Sequence, residues 1–406
     1  MSRQPAALDW CLETPMTRRP CWVEISTPAL EHNYRILLGL AEDNAEVLAM
    51  VKADAYGHAL ALCAPAAVRA GACWLGVTSV EEAMEARSVC PEARILVMSG
   101  CFPGEGVAVL EHKLTAVAWE PWQLDELEPA ALAVGLAPGS IPVHLEIDTG
   151  MSRQGVSPEG LAAILSRFSA AGPLRLEGVL THLYAADETD GRATRQQLDI
   201  LDEALAQIAA AGLRPEWLSA GASASLLNGE AAGIAAQARR RGMKAMIRPG
   251  LALYGVAPRF HPGEPPAVAA ARQSLKPVLS WKTRVVSVRS VPAGAVVGYN
   301  GTFVATEPMR LAVLPVGYAD GLDRRLGNRF SLLVRGQRAP LVGRVSMDLA
   351  VLDVTEIDGV EAGDEVVILG SQGAETISAA EHAEATGTIP WEVFTRIGAR
   401  VRRVPV

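Results

Sequence analysis

A lysine that directly follows an apolar β-type run can have its stem held out of water and its amine left reactive. Lys52 is such a residue: it ends VLAMVK at 47–52 and is followed by Asp54, Tyr56 and His58. Desolvation depresses a lysine's pKa and leaves an amine that can form a Schiff base with a carbonyl. The plainer alternative is a lysine that reaches the rim with a packed stem. Other polar residues stand at the ends of similar runs. Asp148 closes IPVHLEID at 141–148 and leads into DTGMSRQG with Arg153; Thr181 and His182 close LRLEGVLTHL at 174–183. EWLSA at 216–220 runs into SAGASAS at 219–225, and AMIRP at 245–249 runs into Gly250. A Gly/Ser-rich turn that opens a helix presents backbone N–H groups, and with the Ser223 hydroxyl it can cradle a phosphate dianion. The same turn also reads as a plain strand-to-helix turn with an N-cap serine. A Schiff-base lysine and a phosphate cradle together imply a phosphorylated aldehyde, and pyridoxal 5′-phosphate (PLP) is the obvious one. His182 and Arg248 would then lie on its ring side.

Other chemistries lack their residues. Gly104 and Gly106 are not followed by the third glycine of a dinucleotide fingerprint, no P-loop is present, and SAGASAS is not a G-x-S-x-G elbow. No Cys/His cluster has zinc spacing, so no metal is expected. The six cysteines, at 11, 21, 63, 73, 90 and 101, form no C-x-x-C and are expected to be reduced thiols.

The residues that do carry chemistry need elements to position them. From about 45 to 255 short β-rich runs alternate with helical runs rich in Ala, Leu and Glu, and eight such β runs can be counted. Alternation of this kind implies parallel strands, and eight units suit a closed (β/α)8 TIM-type barrel better than an open doubly wound sheet. In such a barrel reactive residues sit at the C-terminal strand ends, where the polar residues named above fall. After a Pro/Gly-rich stretch at 258–268 the pattern changes to short β runs at 279–291, 309–318, 330–336, 341–347, 349–355 and 364–370. The expected organisation is an extension over residues 1–18, a barrel over 19–256 and a mostly β C-terminal domain over 257–406.

The 406 residues carry 37 basic and 45 acidic side chains, a net charge of −8. An acidic chain offers no electrostatic footprint for nucleic acid or an anionic membrane. No run reaches transmembrane length, and the N-terminus lacks the apolar segment of a signal peptide, so a cytoplasmic location is expected.

VKADAYGHA at 51–59 resembles the cofactor-lysine motif of the alanine racemases, the fold type III PLP enzymes. The resemblance continues in order through 19–34, HLEIDTGMSRQG (144–155), THLYAADE (181–188), IRPGLALYG (247–255), LPVGYADGLDRRLGN (314–328), GRVSMD (343–348) and IPWEVFTRIGARVRRV (389–404). It covers nearly the whole chain after residue 18. It implies a (β/α)8 barrel followed by a β domain, with the first strand (about 21–26) packing with that β domain. It also implies a head-to-tail homodimer with shared active sites, and racemisation of L- and D-alanine that supplies D-alanine for peptidoglycan. By the same resemblance Lys52 holds PLP and acts on one face of the substrate Cα. Tyr318, from the other subunit, acts on the opposite face, helped by a chain through His182 and Arg248. Arg248 faces the pyridine nitrogen, and an arginine cannot accept a proton there. Arg153 and the Met347 backbone N–H bind the substrate carboxylate. Tyr56, Ser223, Gly250 and Leu251 contact the phosphate, and Asp320 and Asp348 support the site from behind.

Four positions depart from the family pattern. Glu146 stands where many members carry a carbamylated lysine, so a carboxylate is supplied directly, and Glu146 and Asp148 share a strand face from which to steer Arg153. Trp391 replaces the usual phosphate-binding tyrosine, and an indole N–H only donates. Ala222 and Ser346 replace an asparagine and a cysteine and are expected to be tolerated. The competing readings are a racemase for serine, lysine or arginine, a decarboxylase of the same fold, and a non-catalytic PLP-binding protein. A cofactor-free barrel hydrolase would need a carboxylate pair or metal cluster at the strand ends, and neither is present.

Overall fold

The structure, a computed structural model, describes residues 19–133 and 135–406. The extension expected over 1–18, and Cys11 within it, lie outside the described residues. Two compact units emerge. One runs from Thr27 to Lys276, and the other joins residues up to Ser26 with Pro277–Val406.

The first unit is a parallel barrel. Its strands are β2 (Ala45–Val47), β3 (Ala49–Met50), β4 (Trp74–Val77), β5 (Arg94–Val97), β6 (Thr115–Ala118), β7 (Ile141–Glu146), β8 (Leu174–Leu180), β9 (Trp217–Ser219) and β10 (Lys244–Ile247). Neighbours pair in the order β2-β10-β9-β8-β7-β6-β5-β4-β3. β2 and β3 are halves of one run. Val47 pairs with Ile247 on one side and Met50 with Gly76 on the other, so the run at 45–50 closes the sheet. The strands are short and apolar on both faces because core side chains fill the inside and helices cover the outside. In β4 and β6 every residue is buried.

The helices present one apolar stripe each. In Thr27–Ala41 the buried residues are Ala29, Leu30, Asn33, Tyr34, Leu37 and Ala41. The Tyr34 hydroxyl, pushed well above its ordinary pKa by burial, donates to the Val47 carbonyl at 2.8 Å. Pro266–Ser274 is also helical and belongs to the barrel unit, so the Pro/Gly-rich stretch ends inside a helix.

The second unit is mostly β. β1 (Cys21–Ile25) lies between β11 (Leu279–Arg284) and a C-terminal strand, Arg402–Pro405, antiparallel to the former and parallel to the latter. Both β1 and β11 bury alternate residues: Cys21, Val23 and Ile25 face inward, as do Leu279, Trp281 and Thr283. A smaller sheet joins Ser287–Val291, Met309–Leu314 and Ala350–Asp353. The β-rich sequence at 341–347 forms no strand; only Leu341 makes an isolated bridge, to Leu352. Its backbone is used elsewhere. Gly343 N donates to Asn328 Oδ1 at 2.6 Å, and the carbonyls of Ser346 and Met347 accept from Tyr318 and Ala319. A segment with β composition is thereby drawn into a loop that holds the turn at 317–320.

Candidate functional site

Lys52 stands where the closing strand run ends, and the four residues after it form a left-handed turn. Ala53, Asp54, Ala55 and Tyr56 all have φ between +51° and +56°. Such a conformation costs L-residues roughly 1–2 kcal/mol each, so neighbours must hold it. Ala53 N donates to Glu82 Oε1 at 2.6 Å, and the other Glu82 oxygen accepts from Thr78 N at 2.8 Å. Asp54 Oδ1 accepts from Leu60 N at 2.6 Å, and Ala55 N donates to the Val51 carbonyl at 2.8 Å. The turn reverses the chain within a few residues, which places Tyr56 buried against Tyr254 with ring centroids 4.9 Å apart. Glu82 is not among the residues that the sequence singles out. Its only signal there is the Ser79-x-x-Glu82 spacing of a capping box, and the Ser79 hydroxyl does accept from Glu82 N.

Lys52 is largely withdrawn from water. Burial first, then the charges of Arg153 and Arg248, lower its pKa. Arg248 follows β10, is buried, and donates to Ser219 Oγ at 2.5 Å and to the Thr181 carbonyl at 2.8 Å. Burial brings even its guanidinium pKa down to about 10. His182 follows Thr181 at the end of β8. Burial and the same cations hold it at about 3, so its imidazole is neutral at physiological pH. The strand ends are tied together behind it: Thr149 Oγ1 and Thr181 Oγ1 are 2.7 Å apart, and Gln197 Nε2 donates to Thr149 Oγ1 and to the His182 carbonyl.

Glu146 ends β7 in the interior. Burial raises its pKa, while a hydrogen bond from Gln154 and the charges of Arg248 and Arg153 oppose that shift. Its oxygen accepts from Gln154 Nε2 at 2.5 Å. Arg153 itself is exposed and makes no hydrogen bond or ion pair with Glu146 or Asp148 among the described residues. Asp148 instead caps the loop, accepting from Gly150 N at 2.9 Å and Ser152 N at 3.1 Å. The steering contact to Glu146 therefore passes through Gln154, the neighbour of Arg153 in the chain.

A small cradle forms beside these residues. Ser223 Oγ accepts from Gly250 N and Ala252 N, both at 3.1 Å. Ser223 and Leu251 each begin a short helical turn, Ser223–Leu227 and Leu251–Tyr254, where first-turn N–H groups have no intrahelical acceptor. Gly250 is required by close approach: a Cβ there would lie 2.0 Å from the Tyr56 Oη.

The remaining expected residues lie in the second unit. Tyr318 begins a turn, Tyr318–Asp320, and is 43% exposed. Its N–H donates to the Ser346 carbonyl at 3.0 Å. Met347 is exposed, and its N–H has no protein acceptor among the described residues. Asp320 is buried and Asp348 exposed; both are held by Arg19 and Arg400. Trp391 is half-buried in the short helix Pro390–Thr395. The structure thus gathers Lys52, Tyr56, Glu146, Arg153, His182, Ser223, Arg248, Gly250 and Leu251 on the barrel unit. Tyr318, Asp320, Met347, Asp348 and Trp391 belong to the other.

The barrel residues fit PLP. A lysine with a depressed pKa, two arginines, and a glycine turn whose first-turn N–H groups lie beside the Ser223 hydroxyl and Tyr56 match an aldehyde joined to a phosphate dianion. Among the described residues no cluster of His, Cys, Asp and Glu could hold a metal ion. The five described cysteines, Cys21, Cys63, Cys73, Cys90 and Cys101, are free thiols.

Fold and site together define a barrel enzyme of the PLP class. Family models for the alanine racemase N-terminal domain and C-terminal domain match residues 25–258 and 278–405. The chain belongs to the alanine racemase family. An alanine racemase from Sorangium cellulosum is 38% identical over 395 residues, covering 95% of this chain and 98% of that one. One from Symbiobacterium thermophilum is 39% identical over 388 residues, covering 95% and 97%. Among solved structures, the alanine racemase of Streptomyces lavendulae aligns with a TM-score of 0.85 at 34% identity, covering 96% of this chain and 98% of that one. The Bartonella henselae enzyme, with covalently bound pyridoxal phosphate, aligns at 0.80 and 27% identity, covering 95% and 99%.

The cradle gives a direct test. Gly250→Ala must displace Tyr56, a buried ring packed on Tyr254. Overpacking of this kind costs about 1–3 kcal/mol, so PLP affinity is expected to fall by about tenfold or more. Titration of the stripped protein with PLP measures it; unchanged affinity would place the phosphate elsewhere.

Proposed function

We propose that this protein interconverts L- and D-alanine with PLP as cofactor. The observation that carries the reading is Lys52, half-buried and under the charges of Arg153 and Arg248 at a strand end of a barrel, in a chain whose residues 25–258 and 278–405 match the two alanine racemase domains. Bound PLP supplies an electron sink that acidifies the substrate Cα–H. The protein's part is to hold the cofactor and substrate and to move protons.

Lys52 Nζ is the base on one face of Cα. Its depressed pKa, set by burial and the two arginines, enlarges the neutral fraction able to take a proton. Tyr318 Oη of the partner subunit is the base on the other face. His182 is neutral, so one ring nitrogen is free to accept and the other to donate a hydrogen bond toward that hydroxyl, while Arg248 holds Ser219 and the Thr181 carbonyl beside it. Arg248 keeps its own protons and so cannot relay one from a ring nitrogen. Arg153 and the Met347 N–H hold the substrate carboxylate. Tyr56, Ser223, Gly250 and Leu251 hold the phosphate, with Trp391 alongside. Glu146 and Gln154 fix the strand end that carries Arg153, while Asp320 and Asp348 support the Tyr318 turn.

The arrangement needs a head-to-tail homodimer. Supporting it, the second unit leaves Tyr318 and Met347, the residues read as acting on a partner's substrate, exposed. The role read for the enzyme is cytoplasmic supply of D-alanine for peptidoglycan. No helix among the described residues is long and apolar enough to cross a membrane.

The test is incubation with PLP and L-alanine in D2O, following optical rotation and Cα deuterium by NMR. Rotation falling to zero with deuterium at Cα is the expected result. Bound cofactor without Cα exchange would overturn the alanine reading and send the search to serine and the basic amino acids, for which Trp391 alters the room available.

A further inference from the structure

Tyr318 sits on a turn whose shape is set by a buried carboxylate. Asp320 is 2% exposed, and its Oδ2 accepts from Gly317 N at 2.8 Å, closing the turn on itself. Two arginines hold that carboxylate from outside. Arg400 Nε donates to Oδ1 at 2.6 Å, and the Arg19 guanidinium donates to both oxygens at 3.3 Å. Arg19 reaches further: its Nη2 also donates to the Pro315 carbonyl at 2.6 Å and the Asp348 carbonyl at 2.7 Å. Arg400 Nη2 donates to Asp348 Oδ1 at 2.8 Å. The pair therefore binds three things at once: the carboxylate inside the turn, the strand exit before it, and the loop carrying Met347.

The backbone leaves the turn little room to adapt. A Cβ at Gly317 would lie 2.3 Å from the carbonyls of both Ser346 and Met347. Gly321 has φ +107°, and a Cβ there would lie 2.5 Å from the Arg396 carbonyl. Gly398 N donates to the Asp320 carbonyl at 2.9 Å. Tyr318 is thus wedged between the loops at 346–348 and 396–398, and its ring is exposed with no side-chain hydrogen bond of its own among the described residues. Nothing local fixes the phenol; the frame beneath it does.

We infer that Arg19 and Arg400, acting through Asp320, are positioning residues for the Tyr318 hydroxyl. The inference rests on the reading of Tyr318 as a base. Arg19 alone spans both Asp320 oxygens, and Arg400 adds a second, shorter bond to Oδ1 while also holding Asp348. The two, from opposite ends of the chain, pin the turn against both flanking loops. Both arginines converge on Asp320 and Asp348, and Arg19 also on the Pro315 carbonyl, all of them next to the turn that carries the one exposed ring.

The test is the double variant Arg19→Gln with Arg400→Gln, studied as the PLP-loaded enzyme and compared with Tyr318→Phe. In D2O, wash-in of deuterium at Cα is measured separately for L- and D-alanine. The double variant is expected to slow L-alanine exchange by about tenfold to a hundredfold, the scale of a small misplacement of a catalytic group. D-alanine exchange, assigned to Lys52, should stay within about twofold of the parent; melting temperature should fall, because a buried carboxylate loses its cations, while PLP content and oligomeric state at the assay temperature are retained. Arg400→Lys, which keeps a charged donor, should restore part of the L-side rate. Equal loss on both sides would overturn the inference, because it marks a general loss of folded enzyme. So would parent-like exchange of both enantiomers while Tyr318→Phe blocks the L side. If Tyr318→Phe itself leaves L-side exchange intact, the reading of Tyr318 falls and the inference falls with it. Where the double variant folds poorly, Arg19→Lys alone gives the same comparison with the charge kept.

Discussion

Lys52→Ala is expected to abolish covalent PLP attachment and to lower racemisation by about 10⁴-fold or more. Two losses combine. The variant has no amine to hold the cofactor, and one face of the substrate has no base. Neither can be taken over locally. The cations near Lys52 are Arg153 and Arg248, and an arginine neither gives up its proton nor forms the bond. The left-handed turn should survive, because Glu82, Asp54 and Val51 hold it through backbone groups rather than through the lysine side chain. Removing a half-buried amine from beside two arginines should relieve charge repulsion rather than add to it. The variant is therefore expected to fold, to bind PLP reversibly through the Ser223–Gly250 cradle, and to yield no borohydride-fixed adduct by mass spectrometry. An adduct of undiminished yield would place the reactive lysine elsewhere.

The barrel is legible in the sequence because its strands announce themselves. Short runs with apolar residues on both faces, separated by helical runs, admit few topologies. The polar residues at their C-terminal ends then mark the mouth, and Lys52, His182, Ser223 and Arg248 all stand out in this way. What the sequence conceals depends on contacts distant along the chain. The turn from Ala53 to Tyr56 adopts a conformation that alanine and tyrosine avoid, and it is held by Glu82, on a different helix. Alternation predicts that Glu146 meets Arg153, but the polar partner of Glu146 is Gln154. Side chains that follow a strand cannot be assigned to a face by alternation once the chain enters a loop. The β-rich run at 341–347 is a loop because its carbonyls are used by the turn at 317–320. Arg19 lies some 301 positions from Asp320, and no periodicity connects them. Only the pairing of β1 within the C-terminal sheet brings the two together.

Tyr318→Phe is expected to separate the two faces of the reaction. Removing a base from one face costs on the order of 10²–10⁴-fold in proton transfer there. The overall racemisation rate must fall equally from either enantiomer, since L- and D-alanine are equal in free energy and kcat/KM must match in both directions. The asymmetry appears instead in Cα exchange. If Lys52 serves the D face as proposed, D-alanine should continue to wash deuterium in from D2O with retained configuration; L-alanine should exchange slowly or not at all. Equal slowing of both would argue for a single base. The same substitution tests whether sites are shared. In a head-to-tail dimer, a heterodimer of Lys52→Ala and Tyr318→Phe subunits has one site with both defects and one with neither. Random pairing makes half of the dimers heterodimers, so co-expression of two inactive chains should recover about a quarter of the parent activity. If each site were built from one chain, every site would carry one defect and no activity would return. The recovered fraction therefore measures directly whether the Tyr318 that serves a given Lys52 belongs to the partner.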